Sequence, residues 1–264
     1  MHITYIGHAT VLIRIGGATI LTDPNFDPTL GRFLRRVSEP GIALHALPTL
    51  DMILLTHAHA DHLSFKSLEA IESVPLYAPP AVARWLRRLG VRHAVDLAPG
   101  ESVVQEGVTI AAGEATHAGN RYGLDRWRSQ ANMYLVANKE ESVFFAGDTA
   151  LTPTTTHLVE QHLTEKGRAL DVALLPIGYA PKWKVGFRRG HLTSADALTL
   201  FERLGARLLI PYHWGTFNHV TATAHDAIQE LRTRVETHTR KNDVRILEPG
   251  ESIDVEPIGP LTAA

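Results

Sequence analysis

The sequence contains no cysteine among its 264 residues. Disulfides, iron–sulfur clusters, thiolate zinc sites and cysteine nucleophiles are therefore excluded. A membrane-spanning run is also missing, because about 18 consecutive apolar residues are needed and the longest stretch, around 172–180, is broken by Pro176 and Gly178. The charge is nearly balanced, with 26 Lys and Arg against 28 Asp and Glu. This balance gives no electrostatic basis for a dedicated nucleic-acid binder, so no nucleic-acid partner is expected.

The start of the chain shows no targeting signal, because residues 1–5 enter an alternating strand pattern without a basic segment before an apolar stretch. We therefore expect a cytoplasmic protein with no transmembrane segment. No linker, low-complexity tract or block of like charge divides the sequence, which predicts a single domain over 1–264. Homo-oligomerisation and peripheral contact with a membrane stay open.

Alternating and short apolar runs dominate the sequence and predict an α/β protein rich in strands. The predicted strands are 3–6, 10–15, 18–22, 52–55, 102–104, 108–112, 131–137, 142–146, 172–176 and 208–211. A closing hairpin is expected from 244–247 and 252–255. Residues 24–50 lack periodicity and contain several prolines and glycines, so they predict a long loop.

Four helices are predicted, and two of them have clear start signals. The first begins at Phe65 and the second runs from Pro80 to Leu89. The third covers 195–204 and the fourth covers 224–238. Ser64 is the expected N-cap of the first, and Thr193-x-x-Asp196 is a capping box before the third. A seven-residue stretch at 97–103 is nearly repeated at 247–253, which indicates either two related halves or the same turn arising independently.

The segment 56–62, Thr-His-Ala-His-Ala-Asp-His, follows a predicted buried strand and concentrates groups that bind metals. Packing alone does not explain so many imidazoles, since an interior histidine is usually isolated. In an extended segment alternate residues face the same way, so His57 and His59 can bind one ion. Asp61 and His62 come as the chain turns and point elsewhere. Two ligand pairs favour two adjacent ions, which need one more ligand each and a bridging carboxylate.

Candidates for the missing ligands follow later predicted strands. His117 comes after the strand at 108–112, Asp148 follows a strand in a Gly-Asp turn, and His213 follows the strand at 208–211. Each alone is typical of a cap or turn residue. Together they complete the set that the first segment requires.

In order and spacing these residues resemble the metallo-β-lactamase superfamily. Within it, the stretches 7–13, 21–24 and 211–217 resemble the branch of N-acyl-phosphatidylethanolamine-hydrolysing phospholipase D and ascorbate-6-phosphate lactonase. The resemblance covers nearly the whole chain. It implies a four-layer αββα sandwich, with metals in the groove between the edges of the two sheets and the loop 24–50 near the rim of the active site.

The resemblance also implies an assignment of ligands by position. The first metal is expected at His57, His59 and His117, the second at Asp61, His62 and His213, with Asp148 bridging and Asp61 also catalytic. Ala60 departs from the pattern, because phospholipase-like members often carry a bulkier residue there. The rim of the pocket is therefore expected to differ.

Three further residues are candidates for supporting roles. Asp23, at a strand end, is expected to orient a ligand histidine, although a plain turn residue before Pro24 is equally consistent. His8 is similar, with an ordinary buried histidine as the alternative. His191 stands just before a predicted helix start, where it is expected to meet a phosphate or a developing oxyanion as a catalytic and substrate-binding residue.

Basic residues cluster near these positions and favour an anionic small-molecule or lipid-like substrate, because guanidinium groups match phosphate geometry. Arg121 and Arg188 are the predicted substrate contacts. There are three basic clusters. They are Arg32, Arg35 and Arg36; Lys182, Lys184, Arg188 and Arg189; and Arg121, Arg126 and Arg128, the last two on either side of Trp127. A solvated surface loop is the alternative for any one of them. Phe26, Leu30, Phe33 and Leu34 provide an apolar face suited to an acyl chain or to a lid packed on the core.

A pair of divalent ions lowers the pKa of bound water from about 15.7 to about 7, which provides a hydroxide nucleophile. Zinc is expected, while manganese or iron stays open because all ligands are nitrogen or oxygen. The sequence thus predicts a metal-dependent hydrolase, foremost of a phosphodiester or other phosphorylated substrate. A lactonase is the alternative within hydrolysis, and a di-iron redox or sensor protein is the alternative outside it.

Overall fold

The computed structural model describes residues 1–31, 34–122, 125, 129–180, 186–218 and 222–257. The strands of its first part are β1 (His2–Gly7), β2 (Thr10–Ile15), β3 (Ala18–Thr22), β4 (Thr29–Leu30), β5 (Leu34–Arg35), β6 (Met52–Leu54), β7 (Leu76–Ala78) and β8 (Ala94–Asp96). The later strands are β9 (Ser102–Gln105), β10 (Val108–Glu114), β11 (Asn132–Ala137), β12 (Ser142–Phe145), β13 (Val172–Pro176), β14 (Leu208–Tyr212) and β15 (Ser252–Asp254). The helices are α1 (Phe65–Ala70), α2 (Pro80–Arg88), α3 (His157–His162), α4 (Ser194–Leu204) and α5 (Asp226–Glu236).

The strands form two mixed sheets and a small hairpin. One sheet has the order β15-β1-β2-β3-β6-β7-β8, the other has the order β14-β13-β12-β11-β10-β9, and β4 pairs with β5. Alternation along the strands separates two cores. Val11 and Ile13 of β2 pack with Tyr134 between the sheets, while Leu12 faces the other way and packs with Leu86 of α2.

Helices cover the outer face of each sheet. The helix α2 contacts β7 and β8 of the first sheet, whereas α3 contacts β10 and α4 contacts β13 of the second. The layers therefore follow the order helix, sheet, sheet, helix, which confirms the expected αββα sandwich. The apolar strands β12 and β13 lie in the middle of the second sheet and are buried along their whole length, as expected for strands covered on both faces.

Strand direction brings the ends of several strands to one groove. β1, β3 and β6 run parallel to one another in the first sheet, and β10, β12 and β14 do so in the second. The carboxyl ends of parallel strands meet at one edge of a sheet. The polar residues that follow these strands, in chain order, are His8, Asp23, His57, His117, Asp148 and His213.

The two helix starts predicted from capping residues are confirmed, whereas the helix predicted over 224–238 begins at Asp226. Ser64 caps α1 by accepting a hydrogen bond from the Ser67 N–H, and Thr193 and Asp196 form both bonds of the capping box before α4. The longest helices of the described residues, α4 and α5, have 11 residues each. Among the described helices, none is both long enough and apolar enough to span a bilayer.

The closing hairpin expected from 244–247 and 252–255 is wrong. β15 pairs antiparallel with β1, and Val244 instead forms a bridge with Leu209. The reason is that β1 would otherwise be an open edge strand with unpaired backbone groups. Tyr5 donates its N–H to the Glu251 carbonyl at 3.0 Å and accepts from the Gly250 N–H at 2.8 Å, which directs the last strand onto this edge.

The repeated heptapeptide folds the same way at both places. Gly100 and Gly250 have φ values of 87° and 95°, and each donates its N–H to the neighbouring strand at 2.8 Å. Glu101 and Glu251 each accept a hydrogen bond from the backbone N–H three residues earlier, at 2.8 and 2.9 Å. One turn type therefore adds a short strand to each of the two sheets.

Residues 24–50, expected to be a loop, contain β4, β5 and a 3₁₀ helix at Leu44–Ala46. The Val37 N–H donates to the Thr216 carbonyl at 2.8 Å, and the Gly41 N–H donates to the Ile6 carbonyl at 2.8 Å. Gly41 also packs directly on Gly250, so closely that an added Cβ would lie 1.9 Å from the Gly250 nitrogen. These two hydrogen bonds and the contact between the glycines attach the segment 24–50 to the chain around the strand ends that carry the polar residues.

Candidate metal centre

Three imidazoles of the groove face one another at short range. His57 and His59 follow β6, and His117 follows β10. The Nδ1 atom of His59 lies 3.0 Å from Nε2 of His57 and 3.1 Å from Nε2 of His117. Such separations are close to those between nitrogen ligands of one metal ion, which each lie about 2.0–2.1 Å from it.

The outer nitrogens of two of these rings are already engaged, and this settles where the protons are. His117 donates its Nδ1–H to the Gly190 carbonyl at 2.7 Å. Thr56 donates its hydroxyl to Asp23 at 2.7 Å, so it accepts from the Nδ1–H of His57 at 2.9 Å. Because burial lowers the pKa of His57 well below its usual range and that of His117 to about 4, both rings are neutral near pH 7. Their Nε2 lone pairs therefore point into the site.

A second group forms around Asp61, whose carboxylate follows the histidine pair. Its Oδ2 lies 3.7 Å from Nε2 of His213 and 3.9 Å from Nε2 of His62. His8 donates its Nε2–H to the same oxygen at 3.1 Å, since burial lowers the pKa of His8 to about 4 and keeps the ring neutral. The potential ligand atoms of Asp61, His62, His213 and His8 all lie within 4.8 Å of one another.

Asp148 lies between the two groups. Its Oδ2 is 3.4 Å from Nε2 of His62 and 4.0 Å from Nε2 of His117, and its Oδ1 is 3.4 Å from Nε2 of His213. Burial opposes ionisation of Asp148, but His213 and His62 outweigh it and hold the pKa of the carboxyl well below its usual range. A buried carboxylate in this position is able to contact ions on both sides.

The donor atoms of the centre fit divalent cations. The buried atoms His62 Nε2, His213 Nε2 and Asp148 Oδ1 have no hydrogen-bond partner among the described residues. Each such atom costs roughly 1–3 kcal/mol unless something satisfies it. Burial also opposes protonation of His62, yet the carboxylates of Asp148, Asp61 and Asp23 raise its pKa well above the usual range. The centre therefore has a negative potential that favours a proton on His62, and a divalent cation bound there would take the place of that proton.

Asp23 connects the two ligand groups by hydrogen bonds to the outer nitrogens of their histidines, in one case through Thr56. Its Oδ2 accepts from the Nδ1–H of His62 and from the Thr56 hydroxyl, each at 2.7 Å, and its Oδ1 accepts from the Thr56 N–H at 2.7 Å. Thr56 in turn accepts from His57, as described above. One buried carboxylate thus orients a histidine of each group, the second of them through a hydroxyl.

Three of the polar residues occupy strained backbone. His8, Asp23 and His213 have φ values of 54°, 34° and 70°, and in the described part of the chain Glu106 is the remaining non-glycine residue with positive φ. Such conformations cost free energy and cluster at functional sites. The His8 carbonyl accepts the His213 N–H at 2.9 Å, so two of these strained turns hold each other in place.

The structure places His191 at the rim of the centre. Its ring stacks on Phe187 at 4.6 Å, its Nδ1–H donates to the Phe187 carbonyl at 3.2 Å, and its Nε2 lies 3.6 Å from Asp148. The side chain is 33% exposed, so it can reach a bound substrate. Arg188 lies further out, 66% exposed and 3.7 Å from Asp196.

Arg121 contacts the histidine segment itself. Its guanidinium donates to the Leu63 carbonyl at 2.7 Å and to the Ala58 carbonyl at 3.3 Å, and it lies over the ring of Phe65 at 5.1 Å. Its predicted contact with substrate stays a prediction, as does that of Arg188. The other members of the predicted basic and apolar clusters that lie outside the described residues are Arg32, Phe33, Arg126, Trp127, Arg128, Lys182 and Lys184.

A cavity of about 170 Å³ opens beside the second group. His8, Asp61 and His213 form its inner wall. Leu30 and Leu34, from the segment 24–50, line the opposite part. The cavity is the place from which a bound molecule can approach the centre.

Sequence reasoning missed two small residues that the centre requires. Thr56 stands directly before His57, and its hydroxyl is a local signal in the sequence for the contact with that ring. Gly119 packs against the ring-bearing carbon of His57, since an added Cβ would lie 2.6 Å from the His57 Cβ. Nothing in the local sequence indicates that contact, because it joins two distant segments.

Comparison with known proteins identifies relatives over nearly the whole chain. The family described as "Beta-lactamase superfamily domain" matches residues 18–214. N-acyl-phosphatidylethanolamine-hydrolyzing phospholipase D 1 of Caenorhabditis elegans is 28% identical over 81% of this chain and 64% of its own length. A "UPF0173 metal-dependent hydrolase" of Methanospirillum hungatei is 28% identical over 97% of this chain and 100% of its own length.

Solved structures show the same fold. The crystal structure of isothiocyanate hydrolase from Delia radicum gut bacteria superposes with a TM-score of 0.77, at 22% identity, over 96% of this chain and 98% of that one. A possible metal-dependent hydrolase from Veillonella parvula gives a TM-score of 0.76 at 21% identity, over 96% and 98% of the two chains. At these identities the likeness concerns the fold alone.

Proposed function

Because this chain belongs to the beta-lactamase superfamily and is a metal-dependent hydrolase of that family, we propose that it hydrolyses a phosphodiester bond with two divalent cations. The observation that carries the proposal is the pair of facing ligand groups with Asp148 between them. Support for the bond type comes from the relative in C. elegans, which is named a phospholipase D. A phospholipase D cleaves a phosphodiester.

We assign the ligands by group. His57, His59 and His117 would hold one cation, and Asp61, His62 and His213 the other, with Asp148 shared. His8 would orient Asp61 through the hydrogen bond to Oδ2. Zinc suits this nitrogen and oxygen set, and manganese or iron would accept the same donors.

When bound, such a pair of cations lowers the pKa of water from about 15.7 towards about 7 and polarises a phosphoryl oxygen. The side chains of the protein would hold and orient the substrate and the attacking water around these cations. Asp61 has a 27% exposed side chain that faces the cavity, so it is placed to orient an attacking water by accepting its proton in a hydrogen bond. His191 presents Nε2 at the rim and, when protonated on both ring nitrogens, would donate its Nε2–H to a substrate oxygen. The buried Asp23 would keep the outer nitrogen of His62 protonated directly and that of His57 through the Thr56 hydroxyl.

Opening of a neutral cyclic ester is the second candidate. The observation that favours it is that the cavity beside Asp61 and His213 has no Lys or Arg among the described residues that line it. A lactone carries no charge that would need one, and the same centre would polarise its carbonyl.

Assays of the zinc-loaded and manganese-loaded protein distinguish the two candidates. We expect turnover of bis-p-nitrophenyl phosphate or of phospholipid vesicles, and its loss in the Asp148→Asn variant. The solvent-exposed Gln229→Leu variant is the matched control and should keep full activity. Good turnover of lactones with none of either phosphodiester would overturn the leading proposal. Iron with visible absorbance and no hydrolysis would favour a redox role instead.

A further inference from the structure

The cavity beside the second group is apolar over most of its surface. Beyond the inner wall of His8, Asp61 and His213, its lining includes Ile177, Trp214, Phe217 and Ala227 together with the two leucines of the segment 24–50. Trp214 and Ala227 are themselves buried by the core, at 3% and 6% exposure. The part of the wall formed by these two residues is therefore fixed by packing of the fold.

Two polar residues of the lining, Asn218 and Thr223, already make hydrogen bonds within the protein. Asn218 accepts the Ala224 N–H through Oδ1 at 2.9 Å. Thr223 donates its hydroxyl to Asp226 and its N–H to the same carboxylate. These two residues thus spend their hydrogen bonds on shaping the start of α5.

A basic side chain of the segment 24–50, Arg36, also makes its contacts elsewhere. Arg36 donates to the carbonyls of Asn25 and Asp27, at 2.6 and 3.0 Å, and lies over the ring of Phe217 at 5.0 Å without lining the cavity. Within the described residues, then, no cation faces the interior of this cavity. An anionic group placed against these apolar walls would lose its hydration without gaining a Lys or Arg partner among the described residues.

The volume sets the size of the occupant. An apolar cavity of about 150 Å³ holds one benzene ring, and this cavity has about 170 Å³. A single ring fits, whereas a long acyl chain would have to leave the cavity through its mouth.

We propose that this cavity binds one compact, uncharged apolar substituent of the substrate, of the size of a phenyl ring or a short branched alkyl group. The inference rests on the proposed hydrolytic function, because the substituent is taken to be attached to the bond cleaved at the adjacent centre. The preferred substrates would accordingly be small aryl or alkyl esters of phosphate, rather than esters whose apolar part is a long chain.

The test is direct binding of three phosphonates to the zinc-loaded protein by calorimetry: methylphosphonate, benzylphosphonate and dodecylphosphonate. Each carries the same charged head, so differences report the cavity. We expect benzylphosphonate to bind at least tenfold more tightly than methylphosphonate, as for other apolar pockets, with no further gain for the dodecyl compound. Ala227→Leu, which fills the cavity, should remove that preference, whereas Gln229→Leu on the exposed side of the same helix should keep it.

Equal binding of the methyl and benzyl compounds would overturn the inference, and so would a benzyl preference that survives in Ala227→Leu. Continued gain up to the dodecyl compound would do the same. If Ala227→Leu does not fold, Leu34→Ala serves instead, and its enlarged cavity should move the preference towards bulkier groups such as naphthylmethylphosphonate. Failure of the proposed function would give a different result from failure of this inference. Phosphodiester turnover would then be absent while the benzyl preference remained.

Discussion

At the scale of single residues, Thr56 connects histidines that lie in different ligand groups. Its hydroxyl accepts from His57 and donates to Asp23, which also accepts from His62. Outer hydrogen bonds of this kind fix the tautomer and orientation of a metal ligand. The two groups are therefore aligned by one buried network, and its weakest member is a hydroxyl that carries no charge.

Thr56→Val should lower zinc affinity by about 10–100-fold, the usual effect of losing such an outer contact, because His57 then has no acceptor for its Nδ1–H. Thr56→Ser keeps the hydroxyl and should stay close to the parent protein. Competition titration with a chromophoric zinc chelator measures both. Unchanged affinity in the valine variant would show that Thr56 does not position His57.

His191→Ala should retain the full metal content but lower kcat/KM for a phosphodiester by about 100-fold, the lower end of what positioned proton-transfer groups contribute. The metal should be retained because His191 stands at the rim of the centre, where its Nε2 lies 3.6 Å from the Asp148 carboxylate. Asp148→Asn is the contrasting variant and should lose one or both ions while keeping the fold. Metal analysis and steady-state kinetics decide between them, and loss of metal in His191→Ala would mean that this residue is a ligand.

At the scale of elements, two similar turns attach the short strands β9 and β15 to their sheets. The turn at Gly250 attaches β15 to β1, and Gly41 of the segment 24–50 packs on it. The equivalent turn at Gly100 has the same backbone form, but an added Cβ there meets no atom within 4 Å. A substitution at Gly100 therefore measures backbone strain alone, whereas a substitution at Gly41 measures packing against the other turn.

Gly100→Ala should lower the free energy of unfolding by about 1–2 kcal/mol, the cost of a left-handed conformation in a residue with a Cβ. Gly41→Ala should cost considerably more, because its Cβ would lie 1.9 Å from the Gly250 nitrogen, so that backbone itself would have to shift. Urea denaturation followed by circular dichroism measures both variants. Similar small losses in the two would show that the segment 24–50 is not fastened at this point.

Elements with a local signal could be predicted, and those set by distant partners could not. The start of α1 at Phe65 and the capping box of α4 follow from side chains within four residues. The pairing of β15 with β1 depends on an edge 250 positions away in the chain and leaves no local trace. For the site, strand-end histidines and acids were visible as a spaced set, whereas the fit of Gly119 against His57 and the cavity walls arise only once the sheets pack.

At the scale of the whole molecule, the two sheets bring together donors that destabilise the protein when left alone. The buried atoms His62 Nε2, His213 Nε2 and Asp148 Oδ1 have no hydrogen-bond partner among the described residues, and each lies at the end of a different segment. Bound cations would satisfy them and join the two sheets across the groove. Metal binding should therefore be a global stabiliser and not only a requirement for catalysis.

Removal of metal with a chelator should lower Tm, and zinc at 100 times its Kd should restore about 2.7 kcal/mol of stability. For a chain of this size that corresponds to roughly 5–10 °C. Differential scanning calorimetry of the chelated and reloaded protein measures the shift, with Asp148→Asn expected to show a much smaller one. An equal shift in that variant would indicate that the stabilising metal binds elsewhere.

Anomalous diffraction at the zinc edge from crystals of the reloaded protein tests the central claim most directly. Two peaks per chain are expected, one among His57, His59 and His117 and the other among Asp61, His62 and His213, with Asp148 reaching both. A single peak at full loading, or peaks outside these two groups, would contradict the account.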